Sequence, residues 1–312
     1  MGRDTISVSM KKKIKIALGF VILAATVIIF IRYAATHPEL MRKLGDTSPT
    51  VLAPLILLYL VWFAALVVIL RVSLRLFDKT MSKQENLLLN AYSTLINFFG
   101  PGQSGPVFRG IYLKKRVGLG LKKYIFATLI YYGFYAVISA FFLFVGSQPW
   151  WQTILLMLGA AGGSLFIIRW YGKKPQVREG GGKLSLVNLG WLFAATAVQM
   201  AAQLTIFFIE LRSVDASISF SQALTYTGAA NFALFVALTP GAIGIREAFL
   251  VFSQGMHHLS NAVIVAANVI DRAVYLLFLG ILFILVISLH AKDKLHLSRM
   301  NTNAPKHGGQ GE

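Results

Sequence analysis

The 312-residue chain contains no cysteine. That excludes disulfides, thiolate-held zinc and a cysteine nucleophile, and leaves the redox compartment open. Acidic residues are scarce, at 12 against 30 Lys and Arg, and only 13% of the chain is charged. No segment is polar and long enough to form a separate soluble catalytic domain. There is no H-E-x-x-H, no G-x-S-x-G and no P-loop, so metalloprotease, α/β-hydrolase and nucleotide-hydrolysing chemistry find no signature. Gly118-Leu-Gly120 follows no strand pattern and is not read as a dinucleotide site. His257-His258 has no third ligand in register. No cofactor and no metal are expected.

What remains is apolar. The chain is 56% hydrophobic, with a mean hydropathy of +0.66, outside the range of a soluble domain. In a soluble protein a net charge of +18 suggests nucleic acid. Here the bases sit in short segments flanking apolar runs, which points to membrane orientation and anionic lipid instead. Six segments are long enough to cross a bilayer whose hydrocarbon is ~30 Å thick: residues 14–35, 51–74, 124–145, 151–170, 184–209 and 263–289. Lys11, Lys12, Lys13 and Lys15 before the first resemble a secretory leader, but the run is long for one, and it is read as an uncleaved span. The sequence thus predicts an all-α polytopic membrane protein. A basic N-terminus covers 1–13, a transmembrane domain 14–290, and a polar, disordered tail 291–312.

Bases concentrate at Arg71–Lys83, Lys114–Lys123, Arg169–Lys183 and Lys292–Arg299, and all fall on one side if there are six crossings. The positive-inside rule then places both termini in the cytoplasm of a cell-membrane protein. Trp150 and Trp151 suit the outer interface. Gly159, Gly162 and Gly163 are read as a close-packing helix face.

Two further apolar stretches, 86–110 and 217–244, are punctured by glycine and proline. Pro101-Gly102-Gln103-Ser104-Gly105 is followed by Arg109, and Pro240-Gly241-Ala242-Ile243-Gly244 by Arg246. In lipid a broken helix frees backbone groups that only protein or a polar cavity can satisfy. A matched pair of such breaks points to a transport site at mid-membrane. Counting crossings, the first enters from the cytoplasm and the second from outside, forming an inverted repeat of re-entrant helix pairs. A helix ending at Phe99 and a second starting with Ser104 as N-cap would aim amide N–H groups at an anion.

Arg109, Arg246 and Arg272 are the bases most deeply set in apolar sequence, where a charge needs a cavity or a partner. Glu247 is the expected partner of Arg246, and Asp271 or a more distant carboxylate that of Arg272. Three polar helix faces accompany them: Thr196, Gln199, Gln203 and Glu210; Asn268, Asp271, Arg272 and Tyr275; Thr128, Tyr131, Tyr132, Tyr135 and Ser139. Each either lines a hydrophilic groove or hydrogen-bonds between helices.

These residues resemble the lysylphosphatidylglycerol synthase transmembrane-region family, also described as flippase-like integral membrane proteins, over about residues 14–289. The most specific part is Leu238-Thr-Pro-Gly-Ala-Ile-Gly-Ile-Arg-Glu247. Asn97, Pro101, Gly102, Gly105 and Arg109 look like the family's first motif, and Arg272 with Tyr275 like its last. Gln103 stands where the family often has arginine, and Pro106 where it has an acidic residue. The resemblance implies a lipid head-group site at Asn97, Pro101, Gly102, Gly105, Arg109, Gln199, Gln203, Pro240, Gly241, Gly244, Arg246, Glu247, Arg272 and Tyr275. It implies lipid translocation: a phospholipid, aminoacylated phospholipid or polyprenyl-linked lipid moved between leaflets, with membrane lipids as partners and no nucleic acid. Family synthases carry a soluble transferase after the membrane part, and a short tail here makes tRNA-dependent synthesis unexpected. The alternatives are an enzyme or subunit for lipid-linked glycan or aminoacyl-lipid synthesis, with Glu210, Glu247 or Asp271 as acid or base, and a non-transporting lipid-binding partner.

Overall fold

The computed structural model describes residues 47–100, 103–145, 150–172, 185–235 and 245–302, with a few single positions before them. Most of the predicted first span with its lysines, Pro101 and Gly102, the second break with Pro240, Gly241 and Gly244, residues 173–184 and the last ten residues lie outside them. Residues 1–48 and 49–312 form separate units. In the first, the helical positions described lie between 28 and 42, and the Thr36 hydroxyl donates to the Arg32 carbonyl at 2.9 Å.

In the second unit the described residues are helical, with no strand: α1 (Pro49–Arg75), α2 (Lys83–Phe99), α3 (Ser104–Arg116), α4 (Leu121–Val145), α5 (Trp150–Gly172), α6 (Leu186–Val214), α7 (Phe220–Phe235), α8 (Ile245–Phe252), α9 (Gln254–His257) and α10 (Asn261–Thr302). Four are long and apolar enough to cross a membrane: α1, α4, α6 and the Asn261–Leu289 part of α10. The 27 residues of α1 rise about 40 Å, more than the hydrocarbon requires. Large apolar side chains point outward, among them Leu57, Leu158, Phe166 and Ile284, each more than 60% exposed. Such a surface suits lipid rather than water. The all-α polytopic membrane fold follows from these helices. The fourth predicted span is the helix α5. Its Gly159, Gly162 and Gly163 face open space, so the close packing expected there is absent among the described residues. Glycines permit close approach but do not attract a neighbour. α10 runs on to Thr302, into the segment read as tail.

α6 passes its predicted end at 209 and reaches Val214, because Leu211 is still fully buried. α1 closes with a left-handed residue, Asp78 (φ 53°). Lys79 N–H donates to Leu74 O at 3.1 Å and Asp78 N–H to Arg75 O at 3.2 Å, which satisfies carbonyls that the helix end would orphan. Ser82 then caps α2, accepting from Glu85 N–H at 3.1 Å.

Helix directions follow from contact order. Tyr59 bonds Asp271, and Phe63, one turn on, meets Phe278, so α1 and α10 run the same way. Phe77 and Phe126 join the end of α1 to the start of α4. α2 and α3 fold back on each other: Gly105 sits over Asn97 and Ser93, Arg109 bonds Ser93, and Tyr112 bonds Glu85. α4 is flanked along its first half by this hairpin, with Gly110 against Tyr124 and Tyr132 donating to Gln103 at 3.4 Å. Along its second half it is flanked by α7. Tyr135 donates to Asn231 at 2.8 Å, and Gly228 lies against the Leu143 backbone. The two flanking elements meet α4 at neighbouring positions, Tyr132 and Tyr135, halfway along it.

Candidate functional site

Four charged side chains of α8 and α10 pair across the two helices. Arg246 Nη2 lies 2.6 Å from Asp271 Oδ2, and its Nε donates to Asn268 Oδ1 at 3.1 Å. The same Nη2 also reaches Asn268. Tyr59 OH donates to the second Asp271 oxygen at 2.6 Å, and the Phe207 ring lies 5.3 Å from the guanidinium carbon. Arg272 Nη2 bonds Glu247 Oε1 at 2.9 Å. The expected pairing of Arg246 with its neighbour Glu247 is thus replaced by a crossed one. Consecutive helical residues point about 100° apart and do not face each other. Arg272 takes the more distant carboxylate, Glu247, and not the adjacent Asp271. Arg246, Asp271 and Arg272 are all below 10% exposed, so their charges are compensated pair by pair rather than left for a ligand.

The first hairpin is arranged differently. Gln103, not Ser104, holds the N-cap position of α3. Ser104 is already in the first turn, and its hydroxyl donates to Ile96 O at 3.0 Å. Asn97 Oδ1 accepts from Gly105 N–H at 3.3 Å, Pro106 has no N–H, and Val107 N–H bonds Gln103 O. The amide end expected to face an anion is therefore largely satisfied by the protein itself. Asn97 serves as its internal acceptor.

Arg109 remains. Its Nη2 donates to Ser93 Oγ at 3.1 Å, while its Nε is buried and has no hydrogen-bond partner. Among the described residues it has no carboxylate within ion-pair distance, unlike Arg246 and Arg272. Tyr131 and Tyr132 both lie close enough to interact with its charge. Tyr131, Tyr132 and Tyr135 bond Gln199, Gln103 and Asn231, so this stretch of α4 touches α6, the turn before α3, and α7.

The predicted polar faces divide. Gln199 is buried and accepts from Tyr131 OH at 2.9 Å, and Thr196 bonds its own helix at Leu192 O. Gln199 thus joins α4 to α6, while Thr196 is satisfied within α6; Gln203 is half-buried. Tyr275 joins an aromatic cluster with Tyr59, Phe98 and Phe278, at ring separations of 5.3 to 5.8 Å. Phe98 closes the end of α2, so this cluster seats the first hairpin's tip against the middle of α10's apolar span. Pro101, Gly102, Pro240, Gly241 and Gly244 are not described, and their part in the site stays a sequence expectation.

Sequence reasoning missed Tyr59, Ser93, Asn231 and Phe207. The signal for Asn231 was present, a lone amide inside an apolar run. Tyr59, Ser93 and Phe207 gave no local sign. Glu210 is 1% exposed, its Oε1 has no partner, and it senses both Asp271 and Arg246. The three carboxylates considered for acid–base work are thus buried or already paired. Both ring nitrogens of His257 are engaged by backbone, at Leu250 O and Leu259 N–H, and burial holds its pKa below the ordinary 6.5. No group of three metal-ligating side chains occurs among the described residues.

No curated protein matches the chain. The model of the lysylphosphatidylglycerol synthase TM region family matches residues 16–282, from the first predicted span into α10. That range contains both glycine- and proline-punctured stretches and Arg109, Arg246 and Arg272, and it implies a function tied to membrane lipid: the chain belongs to the lysylphosphatidylglycerol synthase transmembrane-region family.

Proposed function

We propose that this protein moves a phosphate-bearing lipid, a phospholipid, aminoacylated phospholipid or polyprenyl-linked lipid, between the leaflets of the cell membrane. The observation that carries this reading is Arg109, a cation without a carboxylate beside the middle of α4. An arginine at that depth costs several kcal/mol, by the contested range of ~2.5 upward, unless something compensates it. The lipid phosphate is that compensation, bound by a charge-assisted pair. The two hairpins are re-entrant, enter from opposite faces and form an inverted repeat. Their approach to α4 from its two ends supports this arrangement, which is that of alternating-access carriers. Arg246 and Arg272, already paired, set the second hairpin rather than grip the head group. The termini lie in the cytoplasm, in keeping with the distribution of bases.

The test uses purified protein in vesicles carrying a fluorescent phosphatidylglycerol, with a reductant that bleaches only the outer leaflet. With wild-type protein the inner pool is expected to become accessible to the reductant and bleach at a rate that Arg109→Gln lowers at least tenfold, with its melting temperature unchanged. Equal rates for the two proteins, or for protein and empty vesicles, contradict the proposal.

A further inference from the structure

At the end of α1 a second basic site lies apart from the broken segments. Arg71 and Arg75 stand one turn apart on α1, both exposed. The left-handed turn at Asp78 sends the chain back so that Lys79 and Thr80 close over them. The start of α2 adds Asn86, 3% exposed, whose amide donates to Val67 O at 2.9 Å. Together with Leu74 these residues line a pocket of about 60 Å³ whose wall carries three cations and no carboxylate.

Such an arrangement is costly when empty. Like charges four residues apart on a helix destabilise it by some tenths of a kcal/mol. The helix C-terminus returns an interaction of that order for cations in its last turn, but Lys79 lies beyond the helix and adds a third charge. None of the three has an ion-pair partner among the described residues. A water occupies ~10–15 Å³ on this measure, so the pocket of about 60 Å³ has room for roughly four to six, enough for a phosphate group. Its position supplies the ligand. Phe77 and Phe126 tie this end of α1 to the start of α4, where Lys122 and Lys123 stand, at the level where an apolar span meets head groups.

We infer that Arg71, Arg75 and Lys79 bind a phosphate group, carried by an anionic phospholipid or free in solution. This site is separate from the Arg109 site and holds its ligand at the base of the first hairpin, where Asn86 of α2 forms part of the wall. It needs no translocation and stands whether or not the protein transports lipid.

The experiment reads melting temperature in detergent, in an Arg109→Gln background that removes the other candidate phosphate site. The additions are dioleoyl phosphatidylglycerol, dioleoylglycerol (the same chains without phosphate) and inorganic phosphate. Phosphatidylglycerol is expected to raise the melting temperature with saturation, and dioleoylglycerol to leave it unchanged. Adding Arg75→Gln with Lys79→Gln is expected to weaken the apparent affinity at least tenfold. Thr80→Phe, which fills the pocket and removes no charge, is expected to do the same and serves should the charge variant not fold. An equal rise with inorganic phosphate assigns a free anion, and a rise with phosphatidylglycerol alone assigns the lipid. No rise with either, or a rise that both pocket variants retain, overturns the site.

Discussion

Asp271→Ala is expected to destabilise the protein by about 3–5 kcal/mol, the cost of stranding a buried charge. Arg246 is 8% exposed, and Asn268, Phe207 and Asp271 lie against its guanidinium. Tyr59 loses its acceptor at the same time, so a second buried polar group is orphaned. Arg246→Ala should cost a comparable amount by leaving Asp271 unpaired. The double change Arg246→Met with Asp271→Leu should recover most of the loss, since a buried pair replaced by apolar groups of similar size is often neutral. Glu210→Gln should cost less than either single change, because it keeps the side chain's shape and its Oε1 has no hydrogen bond to lose. Reversible unfolding in mixed micelles checks all four variants. A small effect for Asp271→Ala would mean that the crossed pair is not formed in the membrane.

The second large effect is steric. A Cβ at Gly228 would lie 2.4 Å from Leu143 N and 2.7 Å from Leu143 Cα, inside van der Waals contact with backbone that cannot rotate away. Gly228→Leu must push α7 off α4, and with it the bond from Tyr135 to Asn231. Overpacking of this kind costs typically 1–3 kcal/mol; here a buried amide loses its partner as well, which places the expected loss at the upper end. Gly162→Leu on α5 is the matched control, since a side chain there meets open space. The expected result is a lowered melting temperature for the first and an unchanged one for the second.

These examples mark what the sequence could carry. Span positions were legible because an apolar run of that length has few other uses; α1, α4 and α6 appear within a few residues of expectation. The site's types were legible too, since arginine in apolar sequence must be compensated. The pairing was not. Which carboxylate meets Arg246 depends on the rotation of α8 against α10, and adjacent residues in the chain point to different neighbours. Nor was the fate of the α3 amides readable: whether Asn97 turns in to accept from Gly105 is set by the hairpin's closure. The glycine face of α5 misled for the opposite reason, since small residues look alike whether or not a helix lies against them.

The most direct test of the account is side-specific labelling of single cysteines in a chain that has none of its own. With Gln103→Cys and Ala242→Cys in sealed vesicles of known orientation, a membrane-impermeant maleimide should reach position 103 from the cytoplasmic side and position 242 from the opposite side. Labelling of both positions from one side would contradict opposed re-entrant hairpins, and with them the carrier.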